Sequence, residues 1–278
     1  MRSVLQKYGL TAKKRLGQHF LVDEFVLEKI TVGADISCDD LVIEIGPGVG
    51  ALTLALSKKA GHVVAIEVDK TLVPVLTDLF NNDPVTIVHG DILKIDLPPL
   101  IGPYAGMKIK AVANLPYYIT TPVIFNLLEG EIAFESITVM VQKEVANRMA
   151  AKPASKEYGA LSLAIKYYAD AFLIANVPVN CFMPRPAVDS AVVRLDILNS
   201  PRVDANKEML FRIIKAAFGK RRKTLVNCLE GFGLEKPELE DVLAKAGVNP
   251  KVRGEALDIY AFGKLASMLA TAGANNGL

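Results

Sequence analysis

The tetrapeptide Asn114-Leu115-Pro116-Tyr117 carries the groups that methylation of an aromatic amine requires. The exocyclic amine of adenine is a poor nucleophile because its lone pair is delocalised into the ring, so a pocket assists by accepting hydrogen bonds from both amine hydrogens. The Asn114 carboxamide oxygen and the Leu115 carbonyl oxygen are the candidate acceptors. Pro116 biases Leu115 toward an extended backbone, and Tyr117 can stack on the base. All four residues are therefore predicted to be catalytic; the alternative is an ordinary turn that ends a strand.

A glycine-rich turn at residues 44–50 is the candidate cofactor site. Gly46 and Gly48 allow the backbone to approach a ligand closely. The same spacing matches a dinucleotide-binding fingerprint, so the turn alone leaves open a nicotinamide cofactor and S-adenosylmethionine. Glu67, at the end of the next apolar run, can accept both ribose hydroxyls, and Asp91 suits a hydrogen bond from an adenine amino group. S-adenosylmethionine has no pyrophosphate, so acids that end successive strands favour it over a dinucleotide.

Asp69 follows the second of these strands by two residues. Aspartate is one of the preferred residues at a helix N-terminus, where its carboxylate accepts backbone N–H bonds. We therefore predict that Asp69 is a helix N-cap and does not bind the cofactor.

Alternating strand and helix patterns must position these residues. Helical patterns at 51–59, 71–80, 120–128 and 144–151 separate short apolar runs, and this alternation predicts a parallel, doubly wound, Rossmann-like α/β sheet. The predicted strands are 41–45, 63–68, 85–88, 109–113 and 137–141, with 169–177 and 188–195 closing the sheet.

Beyond residue 200 the patterns are only helical. They cover 207–218, 223–230, 237–246 and 255–270. We therefore predict an α/β domain over 1–199, with a basic N-terminal arm, and a small all-helical domain over 200–278.

Composition narrows the class of protein further. The 278 residues are 51% hydrophobic with a net charge of only +2, so any contact with nucleic acid must depend on local clusters of cations. Three cysteines lie far apart and no paired Cys or His spacing occurs, which predicts neither a disulfide framework nor a metal site. No apolar run is long enough to span a membrane. A cytoplasmic protein is expected.

Two clusters of cations are candidates for phosphate contacts. A run of this kind is also typical of a solvated helix start, and the presence of two clusters favours RNA. The residues are Lys13, Lys14 and Arg15 near the N-terminus, and Lys220, Arg221, Arg222 and Lys223 in the helical region.

The sequence resembles the KsgA-type ribosomal RNA small-subunit adenine dimethyltransferases over nearly its whole length. The glycine-rich turn, Glu67, Asp91 and the tetrapeptide fall in the order of that family. Three further segments resemble family motifs: Lys-Arg-Leu-Gly-Gln-His-Phe-Leu at 14–21, Phe-Met-Pro-Arg-Pro-Ala-Val-Asp-Ser at 182–190, and Phe-Gly-Lys-Arg-Arg-Lys-Thr-Leu at 218–225.

The resemblance implies N6 dimethylation of two adjacent adenosines in the 3′-terminal hairpin of small-subunit rRNA. The resemblance also implies that 1–199 is an S-adenosylmethionine-dependent methyltransferase domain and that the helical domain over 200–278 recognises RNA. The implied partner is this rRNA or the 30S assembly particle, and a monomer is expected. Many relatives carry Asn where this chain has His19, so a backbone or carboxylate contact to the cofactor is expected there; a histidine of the core or surface is the alternative. The implied S-adenosylmethionine contacts are Gln18, His19, Leu21, Gly46, Gly48, Glu67, Val68, Asp91, Ile92 and Asn114.

Phe182 is the remaining candidate catalytic residue. It can stack on the face of the target base opposite Tyr117, as in enzymes that extrude a base. A core aromatic residue after a strand is the alternative.

Three other functions remain open. A related family methylates large-subunit rRNA and confers macrolide resistance, although Leu115 and the 218–225 segment argue against it. An RNA-binding assembly factor without catalysis would not need Asn114, Tyr117 and the acids. A nicotinamide dehydrogenase would bind NADH, and we expect no such binding.

Overall fold

The computed structural model describes residues 7–9 and 12–275. The chain forms two compact units. The first comprises the described residues up to Ala146 together with Phe172–Ile197, and the second comprises Asn147–Ala171 and the chain from Leu198 onward. No helix in the described ranges is long and apolar enough to cross a lipid bilayer.

The first unit contains a seven-stranded sheet and a separate two-stranded sheet in which β1 (Phe20–Leu21) pairs antiparallel with β8 (Phe182–Met183). The large sheet has the strand order β4-β3-β2-β5-β6-β9-β7. Its strands are β2 (Asp40–Ile45), β3 (His62–Glu67), β4 (Val85–His89), β5 (Lys108–Asn114), β6 (Ser136–Gln142), β7 (Ala169–Val177) and β9 (Ser190–Ile197).

Helices follow most of these strands. Strand β2 is buried along its whole length, as expected for a parallel strand with both faces covered. The helices are α1 (Glu24–Gly33), α2 (Ala51–Ser57), α3 (Val73–Leu79), α4 (Pro98–Ile101), α5 (Thr120–Glu129) and α6 (Lys143–Met149).

The Rossmann-like architecture is confirmed, but the sheet is mixed. Strands β2 to β6 pair in parallel, whereas β9 runs antiparallel to β6. Each of β3 to β6 is preceded by an α-helix that returns the chain to the same edge of the sheet. No α-helix separates β7 from β9, so the chain lacks the crossover that a parallel strand needs.

The second unit is built from α7 (Ala160–Tyr168), α8 (Lys207–Gly219), α9 (Leu225–Cys228), α10 (Lys236–Lys245) and α11 (Ile259–Asn275). The predicted boundary at 199/200 lies close to Leu198, where this unit resumes. However, residues 147–171 were expected in the first domain. They belong to the second unit because Tyr158, Leu163 and Tyr167 are buried in its hydrophobic core.

The turn after β2 generates a prediction about stability. Gly50 has φ +83°, and a Cβ atom there would lie 2.7 Å from Phe80 Cε2. Gly46 has φ +71°, but a Cβ atom would meet nothing within 4 Å. Gly46→Ala should therefore lower the free energy of unfolding by about 1 kcal/mol through backbone strain alone. Gly50→Ala should lower it by about 2–4 kcal/mol because overpacking adds to the strain. Urea denaturation of the cofactor-free protein measures both, and equal losses would contradict the proposed clash.

Candidate active site

A cavity of about 250 Å³ opens at the carboxyl edge of strands β2 to β5. Ile45 of β2 pairs with Ile66 of β3 and with Ala113 of β5, so the residues that follow each strand emerge side by side. The chain runs outward from β2 in opposite directions, to β3 and β4 on one side and to β5 and β6 on the other. Ligands of open α/β sheets bind at such a switch point.

All residues predicted for the catalytic and cofactor sites line this one cavity. Its wall consists of 16–21, 44–49, 51–52, 66–68, 90–93, 114–119 and Phe182. Residues from separate segments of the sequence therefore meet at one site, although the role of each residue stays a prediction.

The glycine-rich turn lies close to the ring of an aromatic residue. Gly48 has φ +58°, a left-handed conformation that favours glycine. A Cβ atom at Gly48 would lie 3.0 Å from Phe20 Cδ1. The turn and β1 therefore pack together only because residue 48 has no side chain.

Glu67 is buried, and two backbone N–H groups orient its carboxylate. Gly48 N donates to Oε2 at 3.1 Å, and Asp69 N donates to Oε1 at 2.8 Å. Burial raises the pKa of Glu67, and these hydrogen bonds act against the rise. A carboxylate oxygen can accept more than one hydrogen bond, so Glu67 retains capacity for a ligand hydroxyl.

The prediction that Asp69 is a helix N-cap is wrong, because α3 begins at Val73 with Leu72 as its N-cap. Asp69 is buried, and its Oδ1 accepts hydrogen bonds from Thr71 N at 3.0 Å and from Lys13 Nζ at 2.7 Å. Burial opposes ionisation, but the bonds from Lys13 and Thr71 outweigh it and lower the pKa of Asp69 to about 2. Asp69 thus remains ionised at neutral pH and holds a lysine.

Asn114 ends β5, and its amide is held in one orientation. The Asn114 Nδ2 group donates to the carbonyl oxygen of His19 at 3.0 Å, so the carboxamide oxygen is the side that can accept a bond from a ligand. The backbone then turns: Leu115 N donates to Met140 O at 3.1 Å, and Ile119 N donates to Pro116 O at 3.2 Å.

Tyr117 is anchored at the end of its ring. Its hydroxyl lies 2.9 Å from Ser190 Oγ, at the start of β9, and burial raises its pKa. The ring lies nearly parallel to that of His19, with the centroids 6.1 Å apart. The His19 Nδ1 atom lies 2.9 Å from the Pro184 carbonyl oxygen and therefore donates to it. The hydroxyl contact fixes the orientation of the Tyr117 ring but does not occupy the face of the ring.

Phe182 lines the cavity, and it is also only 4% exposed within the core cluster of the first unit. Its Cα partner across the two-stranded sheet is Leu21, which is buried in the same cluster. The observed position is compatible with both interpretations of Phe182, a stacking ring and a core aromatic.

The residues of the cavity wall that the sequence prediction did not assign include Phe20, Glu44 and Tyr118. Tyr118 is 62% exposed beside the anchored Tyr117, and its position next to the tetrapeptide was the only sequence signal. Glu44 is fully buried, and neither of its carboxylate oxygens has a hydrogen-bond partner among the residues that the structure describes. Burial raises the pKa of Glu44 to about 8, although polar contacts with the hydroxyl and the backbone N–H of Thr53 act against the rise. An acid inside an otherwise apolar strand was the available signal.

The predicted phosphate contacts fall into different environments. Lys13 is paired with Asp69, Arg15 is exposed, and the side chain of Lys14 lies outside the described residues. Lys220, Arg221, Arg222 and Lys223 are exposed in the turn between α8 and α9, before the helix start. Arg221 donates to the carbonyl oxygens of Lys156 and Tyr158. Within the described ranges the other three form no ion pair.

The sheet, its switch-point cavity and the acids that line the cavity define an S-adenosylmethionine-dependent methyltransferase. The family model described as ribosomal RNA adenine dimethylase matches residues 9–269. The chain belongs to this ribosomal RNA adenine dimethylase family.

Named relatives agree with this assignment. The chain is 50% identical to "Ribosomal RNA small subunit methyltransferase A" of Lachnoclostridium phytofermentans, over 96% of this chain and 94% of the relative. It is 48% identical to the protein of the same name from Clostridium perfringens, over 96% and 94%.

Solved structures resemble the chain as well. A dimethyladenosine transferase from Plasmodium falciparum has a TM-score of 0.79 at 27% identity, covering 92% of this chain and 98% of that one. The 23S rRNA methyltransferase ErmE has a TM-score of 0.71 at 24% identity, covering 90% and 99%, and shows the fold alone.

The buried carboxyl of Glu44 predicts a pH-dependent stability. Because its pKa is raised from 4.5 to about 8 in the folded state, the folded state holds a proton that the unfolded state releases. The free energy of unfolding should therefore fall as the pH rises from 4.5 to 8. The variant Glu44→Gln cannot ionise at this position. Between pH 5 and pH 8.5 its free energy of unfolding should therefore rise relative to that of the wild type by at least about 1.4 kcal/mol, which corresponds to a pKa shift of one unit.

Urea denaturation without cofactor at the two pH values measures this gain. The control Glu144→Gln removes a carboxyl that is exposed on α6 and should follow the wild type at both. A constant difference between Glu44→Gln and the wild type would contradict the protonated state of Glu44.

Proposed function

We propose that this protein transfers methyl groups from S-adenosylmethionine to N6 of two adjacent adenosines in the 3′-terminal hairpin of small-subunit rRNA. The orientation of the Asn114 amide carries the proposal, because it presents a hydrogen-bond acceptor at the end of a strand inside the cofactor cavity. The names of the relatives support the small ribosomal subunit as the substrate.

The cavity residues fit the cofactor group by group. The buried Glu44 carboxyl, which has no hydrogen-bond partner among the described residues, suits the cofactor's ammonium group. The oriented Glu67 carboxylate suits the ribose hydroxyls, and Asp91 suits the adenine amino group. Gln18, His19 and Leu21 contribute from the arm, Gly46 and Gly48 from the turn, and Val68 and Ile92 flank the two acids.

The residues at the end of β5 act on the target amine. The Asn114 carboxamide oxygen and the Leu115 carbonyl oxygen accept the two amine hydrogens, which localises the lone pair on N6. S-adenosylmethionine supplies an electrophilic methyl group on a sulfonium sulfur. When the N–C bond forms, the methyl–sulfur bond breaks and its electron pair stays on sulfur, which leaves as a neutral thioether. N6 becomes cationic and acidic, so its proton passes to water without a strong general base. A second round repeats these contacts with one hydrogen fewer.

Aromatic residues hold the base. Tyr117 stacks on one face of the target adenine, with its ring angle fixed by the hydroxyl contact to Ser190. Phe182 lies in the cavity wall and bounds the opposite face.

Exposed cations contact the phosphates of the RNA. In the first unit this is Arg15, and in the second unit these are Lys220, Arg222 and Lys223, which have no ion-pair partners in the described ranges. The second unit is thereby an RNA-recognition domain. We further propose that the protein is a cytoplasmic monomer and that the 30S assembly particle is its substrate.

The first experiment identifies the substrate. Purified protein, S-adenosylmethionine and 30S particles that lack the modification should yield N6,N6-dimethyladenosine in small-subunit rRNA, detected by mass spectrometry of nucleosides. Asn114→Ala should lower the rate by about a hundredfold or more, since one amine acceptor is lost. Product only in large-subunit rRNA would favour the alternative family, and RNA binding without product would indicate an assembly factor.

The second experiment tests whether Tyr117 acts on turnover, through the target base, and not on the affinity for S-adenosylmethionine. Tyr117→Ala should lower turnover by about tenfold to a hundredfold, the equivalent of one lost stacking contact, and leave S-adenosylmethionine affinity within about twofold. Tyr117→Phe keeps the ring and loses only the contact to Ser190, so its loss should be smaller. Steady-state kinetics and calorimetry measure both quantities, and equal losses of turnover and affinity in Tyr117→Ala would remove the stacking role.

A further inference from the structure

The segment 12–21, here called the arm, covers one side of the cofactor cavity. Its residues Leu16 to Leu21 are consecutive in the cavity wall. The carbonyl of His19 in this segment holds the Asn114 amide. The position of the arm therefore decides both the shape of the cofactor cavity and the orientation of the amine acceptor.

Lys13 lies at the start of the arm and is attached to the body of the first unit. Its Nζ atom lies 2.7 Å from Asp69 Oδ1 and 2.8 Å from Thr71 Oγ1. The side chain of Asp69 is only 4% exposed, whereas that of Lys13 is 30% exposed. A charge-assisted bond to a buried carboxylate is among the stronger contacts in proteins, and removing one partner leaves the other charge uncompensated.

A second contact joins the arm to the same carboxylate. Gln18 Oε1 accepts a hydrogen bond from Lys13 N at 2.8 Å, and Gln18 Nε2 lies 3.4 Å from Asp69 Oδ2. The bond between Lys13 and Gln18 closes the arm on itself, next to the residues that line the cavity.

Asp69 is in turn connected to the cofactor cavity on the side of the sheet. Its backbone N–H donates to Glu67 Oε1 at 2.8 Å, and Glu67 is part of the cavity wall. One aspartate thus links the arm to the carboxylate at the end of β3.

We propose that the ion pair between Lys13 and Asp69 latches the arm over the cofactor cavity, and that Lys13 is a positioning residue for S-adenosylmethionine binding. Lys13 then does not act as a phosphate contact, the role expected for it from the sequence. Arg15, two residues further along the same arm, is exposed and forms no ion pair within the described ranges.

The test compares two substitutions that each remove one positive charge from the arm. Lys13→Met keeps the length of the side chain, and Arg15→Met is its matched control. Calorimetry of the full-length protein with S-adenosylmethionine should show an increase in Kd of about tenfold for Lys13→Met, as for the loss of one buried charged contact. Arg15→Met should remain within about twofold of the wild type, and Lys13→Arg should retain most of the affinity.

Hydrogen exchange provides a readout that is independent of binding. In cofactor-free Lys13→Met, the backbone amides of 12–21 should exchange faster, whereas those of β2, β3 and β5 should be unchanged. Asp69→Asn should reproduce this pattern, since it removes the other partner of the latch.

Three results would overturn the latch. They are a Kd for Lys13→Met within about twofold of the wild type, an equal loss in Arg15→Met, and faster exchange throughout the sheet in both latch variants. The experiment uses only the cofactor, so its result is independent of the RNA substrate. Failure to methylate small-subunit rRNA would remove the proposed function and leave the latch standing.

Discussion

Strand β2 pairs in parallel with β3 on one side and with β5 on the other, and every feature of the site depends on this register. Parallel pairing brings the carboxyl ends of neighbouring strands to one edge of the sheet. The turn at 44–50, Glu67 and Asn114 lie far apart in the chain, yet they meet there because Glu67 and Asn114 are the last paired residues of β3 and β5 and the turn begins in the last residues of β2. A shift of register by one residue would exchange the two faces of a strand and bury different side chains.

Two acids inside this edge show how the surroundings set the chemistry of a carboxyl group. Glu67 receives two backbone N–H groups that orient it and offset part of its burial. Glu44 lies on the neighbouring strand β2, where polar contacts with Thr53 offset less of its burial and its pKa is raised to about 8. Binding a cationic ligand would reverse that rise, because a positive charge beside Glu44 favours the ionised form. The cavity thus contains the carboxylate of Glu67, which two backbone N–H groups orient, and the carboxyl of Glu44, whose pKa is raised by burial.

The arm shows that similar residues in one short segment occupy different environments. Lys13 and Arg15 are two residues apart, and both belong to one cluster of cations in the sequence. In the structure one is paired with a buried aspartate and the other faces solvent. The same holds for the turn between α8 and α9, where Arg221 bonds to backbone carbonyls and the side chains of its neighbours form no such bond with any described residue. Charge pattern alone predicts where cations lie but does not separate anchors from phosphate contacts.

The sequence by itself determined the strands β2 to β6 and the switch-point turn, and it predicted residues that all line one cavity, because strand patterns and strand ends are local features. Only the tertiary structure decided the antiparallel β9, the place of residues 147–171 in the helical unit, and the partner of Lys13. It also decided the orientation of the Asn114 amide, whose nitrogen donates to a carbonyl 95 residues away and whose oxygen is left available. These outcomes depend on contacts between segments far apart in the chain, and no local pattern encodes a distant partner.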